Sequence, residues 1–233
     1  MAISPPVAPP VALPVAPILK PTIYARYGAR LMHLWLYKAI GTAACMVIFF
    51  HSYFAVLQTP VHPVFTMPVT WLDEAIAFWP PAFYIYASLW LYTSLVPALQ
   101  PDLRRLLAYG CGIGSLCLTG LALFTFFPTA VPYALSDWFA DPSLALLRQI
   151  DLAGNACPSL HVATSLFTAA CLHHLLRDLG SNRLVRVLNW LWCALIVYST
   201  LAIKQHVVWD VVAGAVLALI AALIYPHFLK RVR

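Results

Sequence analysis

Between residues 106 and 127 the chain runs for 22 positions without a charged side chain. As a helix that stretch crosses about 30 Å of hydrocarbon, and five further segments share its character. They cover residues 34–57, with Lys38 near the start, 75–101, uncharged and with Pro80-Pro81 in its early turns, 159–176, 187–203 and 207–229, with Asp210 in the first turn. The alternating segments of about ten residues that a membrane barrel requires are not seen. The sequence therefore predicts an all-α fold, a polytopic membrane protein built as a bundle of six transmembrane helices. Composition agrees, because only 9% of the 233 residues are charged, against roughly 25% in a soluble domain. So few charges cannot cover a water-facing surface. A soluble enzyme, a secreted disulfide scaffold and a disordered chain are excluded.

The chain divides into a Pro-rich tail, residues 1–30, and a membrane domain, residues 31–233. Seven prolines fall within the first 23 positions. They interrupt any apolar helical core that a signal peptide would need, so this stretch is expected to be mobile or polyproline-like. The basic residues set an orientation. Lys20, Arg26, Arg30, Lys38, Arg104, Arg105, Arg177, Arg183, Arg186, Lys230, Arg231 and Arg233 fall on one side of the six segments, and only Arg148 and Lys204 on the other. By the positive-inside bias, both termini are expected in the cytoplasm. The loops after the first, third and fifth segments then face the exterior, the periplasm in a bacterial inner membrane. These charges flank apolar runs, so the net charge of +6 reads as a topology signal and not as a nucleic-acid footprint. The six cysteines lack metal-ligand spacing, and no metal or cofactor is expected. Gly110 and Gly114 form a GxxxG, read as close helix packing.

Ionisable groups within such a chain are expensive and mark function. Three groups converge on the predicted exterior face: Asn155 to His161 entering the fourth segment, Ser199-Thr200 ending the fifth, and Lys204-Gln205-His206 with Asp210 opening the sixth. His206 and Asp210 stand at i,i+4 and share a helix face. The carboxylate can accept the proton on one imidazole nitrogen and leave the other's lone pair free to attack; the same spacing also serves an ordinary interfacial ion pair. His161, in the first turn of its helix, suits general-acid chemistry, and equally a hydrogen-bonded interfacial histidine. Ser159 reads as a helix cap or as a donor to a phosphate oxygen. Lys204 reads as an anion-binding cation or as a solvated one. Asp73 and Glu74 read as helix-dipole partners at the start of the second segment.

Pro158-Ser159-Leu160-His161 resembles the P-S-x-H motif of the type-2 phosphatidic acid phosphatase superfamily. STLAIKQHVVWD, from Ser199 to Asp210, resembles its S-R-x5-H-x3-D motif. The P-S-L-H form and the K-Q-H feature are closer to the branch of inositol phosphorylceramide synthases and related bacterial lipid phosphatases. The resemblance implies a metal-independent site at the exterior face, acting on a membrane lipid phosphate. His206 would form a phospho-histidine, Asp210 would orient it, and His161 would protonate the leaving group. Ser159, Lys204, Ser199 and Arg148 would hold phosphate oxygens. The chain departs from the pattern where K-x6-R-P is absent, where Thr200 replaces the arginine after Ser199, and where Tyr133 follows the F-P-T stretch. A lipid-phosphate phosphatase is the leading expectation. A lipid head-group phosphotransferase on the same scaffold is the second, and a non-catalytic lipid-binding or transport protein the third.

Overall fold

The computed structural model describes residues 22–132 and 154–231. It is 75% helical, and the all-α expectation holds. The elements are α1 (Ile23–Met32), α2 (Trp35–Gln58), β1 (Phe65–Thr66), α3 (Trp71–Ala75), α4 (Ala82–Ala87), α5 (Leu89–Ala98), α6 (Leu103–Phe126), β2 (Thr129–Ala130), α7 (Leu160–Asp178), α8 (Arg183–Ala202) and α9 (Val208–Arg231). Residues 1–21 of the tail, Arg148 and the rest of residues 133–153 lie outside the described residues.

Among the described residues, four helices are long and apolar enough to cross a membrane: α2, α6, α8 and residues 208–229 of α9. The other two segments expected to cross differ from those four for identifiable reasons. The second predicted segment, 75–101, divides into α4 and α5, and the short α3 ends at its first residue. Thr70 and Asp73 close a capping box around α3, Pro81 is the N-cap of α4, and Ser88 separates α4 from α5. The fourth, α7, has 19 residues and carries Thr164, Ser165, Thr168, His173 and His174. It lies at the centre of the bundle, against α5, α6, α8 and α9. A helix wrapped by protein on most sides has no need of a uniformly apolar surface. Of its buried hydroxyls, Ser165 Oγ turns back on its own helix and donates to the His161 carbonyl at 2.7 Å, and Thr168 Oγ1 lies 3.5 Å from the Tyr109 hydroxyl of α6.

The core gathers on α7. Phe167, Leu172 and Leu175 pack with Tyr109, Leu116 and Phe124 of α6 and Ile196 of α8. Polar bonds cross it: Tyr92 donates to Asn189 Oδ1 at 2.8 Å, and Asn189 Nδ2 donates to the Ala169 carbonyl at 3.0 Å. The GxxxG expectation is overturned. A methyl group on Gly110 or Gly114 would meet open space, whereas one on Gly112 would touch Phe167 and Tyr225, and one on Gly120 would strike Leu160 at 2.4 Å. Gly112 sits about 200° round the helix from Gly110, and that other face is the packed one.

The two ends of the bundle are chemically distinct. Arg104 and Arg105 start α6, Arg177 ends α7, and Arg183 and Arg186 start α8, all at one end. α1 docks there, across the boundary drawn at residue 30. Tyr27 shares a 2.6 Å hydrogen bond with Ser181, and Lys38 Nζ donates to the carbonyls of Arg30 (2.6 Å) and Ala98 (2.9 Å). At the opposite end, β1 and β2 pair in parallel, Phe65 with Thr129 and Thr66 with Ala130. Ala130 bridges to Gly154, and Thr129 Oγ1 accepts from the Cys157 amide at 2.8 Å. Three loops are thereby tied together just where α7 begins.

Candidate active site

α7 and α9 cross at their N-terminal ends. The Ser159 amide donates to the Asp210 carbonyl at 3.0 Å, and Gly214 lies so close that a methyl group there would stand 2.4 Å from the Ser159 carbonyl oxygen. This crossing joins the two motifs that are separated in sequence. Ser159 Oγ caps α7 by accepting from the Val162 amide at 3.3 Å. Asp210 Oδ2 accepts from the Val207 amide at 3.0 Å, which fixes the carboxylate under the turn that carries His206.

That turn is set by Lys204, whose φ of 60° places it in the left-handed region. A non-glycine residue there is costly, and two sets of bonds hold it. The Gln205 and His206 amides both return to the Thr200 carbonyl at the end of α8, at 3.0 and 3.2 Å. Lys204 Nζ donates to the main-chain carbonyls of Asp73 (2.6 Å) and Ile76. Asp73 completes the frame: Oδ2 accepts from the Thr70 amide and hydroxyl, and Oδ1 accepts from the Val208 amide at 2.8 Å. One carboxylate therefore caps α3 and the first turn of α9 together.

The result is a line of four groups. Asp210 is fully buried, and its Oδ2 lies 3.4 Å from His206 Nδ1. His206 Nε2 lies 3.4 Å from His161 Nδ1, and His161 Nε2 lies 2.6 Å from the Tyr86 hydroxyl. A carboxylate can only accept, so His206 Nδ1 donates and Nε2 turns its lone pair toward His161. The Tyr86 ring also packs on His161, with centroids 4.5 Å apart.

Both histidines open onto a cavity of about 280 Å³. Its far wall is aromatic: Phe49, Phe50 and Phe54 of α2, Phe83 of α4 and Trp90 of α5. Gln205 and Asn155 supply polar groups beside the histidines, and no described residue lining it is lysine or arginine. Cys157 is half-buried in the loop before α7. Burial, and secondarily the Asp210 carboxylate, pushes its thiol up to about 11.

Of the residues singled out from sequence, the structure brings His161, His206 and Asp210 together. Ser159 is fully buried as a cap. Ser199 is fully buried, with its hydroxyl donating to the Ile196 carbonyl at 2.6 Å. Lys204 points its ammonium at carbonyls of the α3 segment, and Arg148 lies outside the described residues. Tyr86 was not legible as a site residue, because a tyrosine in an aromatic apolar segment carries no spacing signal. The bridging role of Asp73 was equally hidden, although its place as a helix-start carboxylate was read.

No curated protein and no solved structure matches the chain. Residues 127–233, which carry both histidines, Asp210 and the turn between α8 and α9, match the family model described as PAP2 superfamily. That match supports the superfamily, whose members are phosphoric monoester hydrolases or related phosphotransferases.

Proposed function

We propose that this chain is an integral-membrane phosphatase that cleaves a lipid phosphate through a phospho-histidine on His206. The observation that carries the reading is the unbroken line from Asp210 through His206 and His161 to Tyr86, opening onto an aromatic cavity. Asp210 holds the Nδ1 proton of His206, so Nε2 attacks phosphorus while the bond from phosphorus to the ester oxygen breaks. The electron pair leaves on that oxygen, and His161, which enters the cycle as an imidazolium with protons on both nitrogens, gives it the Nδ1 proton and becomes neutral. Water then attacks phosphorus and delivers a proton to His161 Nδ1 as the phosphorus–nitrogen bond breaks. Inorganic phosphate departs, and both histidines return to their starting forms. Tyr86 accepts from His161 Nε2–H throughout, which keeps Nδ1 as the atom that gives and regains the proton. General acid–base help of this kind contributes about 10²–10⁴-fold.

The aromatic cavity favours a substrate whose apolar chain sits beside the histidines while its phosphate meets them. Binding energy from the chain then positions the reacting group. In this reading α4 and α5 together make one crossing and α7 another, giving six in all. The basic end of the bundle faces the cytoplasm, with both termini, and the histidines face the exterior or periplasm.

The test is radiolabelled lipid phosphate supplied to the reconstituted chain. An acid-labile label should form on the wild-type protein and be missing from His206→Ala, with free phosphate release abolished in His206→Ala and Asp210→Asn. Full phosphate release by folded His206→Ala would refute the nucleophile. Offering candidate alcohols in the same assay separates the readings: a new phosphorylated lipid in place of free phosphate identifies a phosphotransferase.

A further inference from the structure

Lys204 and Gln205 are neighbours in sequence but serve different surroundings. The Lys204 ammonium is drawn to the carbonyls of Asp73 and Ile76, whereas Gln205 lines the cavity that holds both histidines. Gln205 is 7% exposed, and its Nε2 has no hydrogen-bond partner among the described residues. Buried amide donors are nearly always paired, and an unpaired one calls for an explanation. The other polar groups on this side of the cavity are already engaged. Asn155 Nδ2 donates to the Tyr53 carbonyl at 3.5 Å, His161 and Tyr86 hold one another, and His206 is held between Asp210 and His161. Asp210 Oδ1 is the second buried atom without a partner, but it is an acceptor behind His206 and does not line the cavity.

We infer that Gln205 binds the substrate's phosphate, its Nε2–H donating to a nonbridging phosphoryl oxygen while His206 attacks the same phosphorus. The inference rests on the phosphatase reading above. The next residue along the chain is the nucleophile, so an acceptor placed for attack at His206 Nε2 brings its oxygens alongside the Gln205 amide. Both side chains face the same cavity, and a phosphoryl group is the acceptor the reaction brings there. A neutral donor in a site shielded from water strengthens as charge builds on the oxygen. It thus supplies part of what the described lining, which holds no lysine or arginine, otherwise lacks.

The experiment uses the full chain reconstituted in mixed micelles, with a lipid phosphate as substrate and inorganic phosphate as competing probe. Gln205→Leu keeps the size of the side chain and removes the donor. It should lower kcat/KM by about 10²-fold and weaken inhibition by inorganic phosphate about tenfold. Gln205→Glu keeps the shape and adds an anion; it should weaken phosphate inhibition further, and more at high pH than at low. Unfolding temperature and chromatographic behaviour identify a variant that fails to fold, and the other variant then decides. Wild-type kcat/KM and phosphate inhibition in a folded Gln205→Leu or Gln205→Glu protein would overturn the inference. So would a fall in kcat/KM with phosphate inhibition unchanged, which assigns the side chain to packing or to the lipid chain. His206→Ala, run alongside, separates the two failures: if it is inactive the phosphatase reading stands without Gln205, and if it is fully active that reading itself has failed.

Discussion

Replacing Gly214 with alanine tests whether the α7–α9 crossing sets the distance between the two histidines. The added methyl group would lie 2.4 Å from the Ser159 carbonyl oxygen and 3.2 Å from Val162 Cβ. An ordinary carbon–oxygen contact needs about 3.3 Å, so the helices must part locally by about 0.9 Å. The obstruction is backbone, and no side-chain rotation relieves it. Ser159 is also where the Asp210 carbonyl receives its 3.0 Å bond, and His161 stands two residues further on. The 3.4 Å separation between His206 Nε2 and His161 Nδ1 therefore opens with the crossing. Overpacking of this kind costs about 1–3 kcal/mol, and a misplacement near 1 Å costs about 10²-fold in rate. Initial rates of phosphate release in proteoliposomes should thus fall about 100-fold in kcat, with a smaller change in KM. Thermal unfolding in detergent should show moderate destabilisation. A Gly214→Ala protein with unaltered unfolding and a rate within about twofold of wild type would show that the crossing does not govern the site.

Asp73→Ala removes two helix caps at about 1 kcal/mol each, so a loss of about 2 kcal/mol is expected by denaturation, with lower turnover as the start of α9 loosens; Asp73→Asn should retain part of both. Tyr86→Phe keeps the ring on His161 and removes its hydroxyl, so kcat should drop about tenfold with little change in KM. Histidine ¹⁵N spectra of that variant should show the neutral form of His161 gaining Nδ1–H at the expense of Nε2–H, and an unchanged tautomer ratio in that form would count against the role given to Tyr86. Cys157, pushed up to about 11 mainly by burial, should hold about one thiolate in 10⁴ at pH 7. Alkylation should therefore be slow at neutral pH and rise steeply only as pH approaches 11; rapid labelling at pH 7 would contradict the burial described.

The helices were legible wherever apolar length is the signal: α2, α6, α8 and α9 fall on predicted segments almost end to end. The segment from 75 to 101 was not, because its breaks depend on the local geometry at Pro81 and Ser88. Charge, which marks boundaries elsewhere, is missing there. Gly110 and Gly114 misled for a related reason. Spacing fixes which residues share a face, but only the neighbours decide which face is packed, and Phe167 and Tyr225 choose that of Gly112. At the site, His161, His206 and Asp210 were readable because ionisable groups in an apolar chain are few. The partnerships of Asp73 with Val208 and of Tyr86 with His161 span 135 and 75 residues, and no local pattern encodes such distances.

At the beginnings of α7 and α9, the amides of Val162, Val207 and Val208 are occupied by Ser159, Asp210 and Asp73. A main-chain anion nest survives almost any substitution, since every residue but proline brings the same N–H. Here those three donors serve the protein's own oxygens, which shifts the burden of recognising a ligand onto side chains. Ligand preference at this site is thus written in exchangeable atoms, and single-codon changes around the aromatic chamber redirect it without rebuilding the bundle.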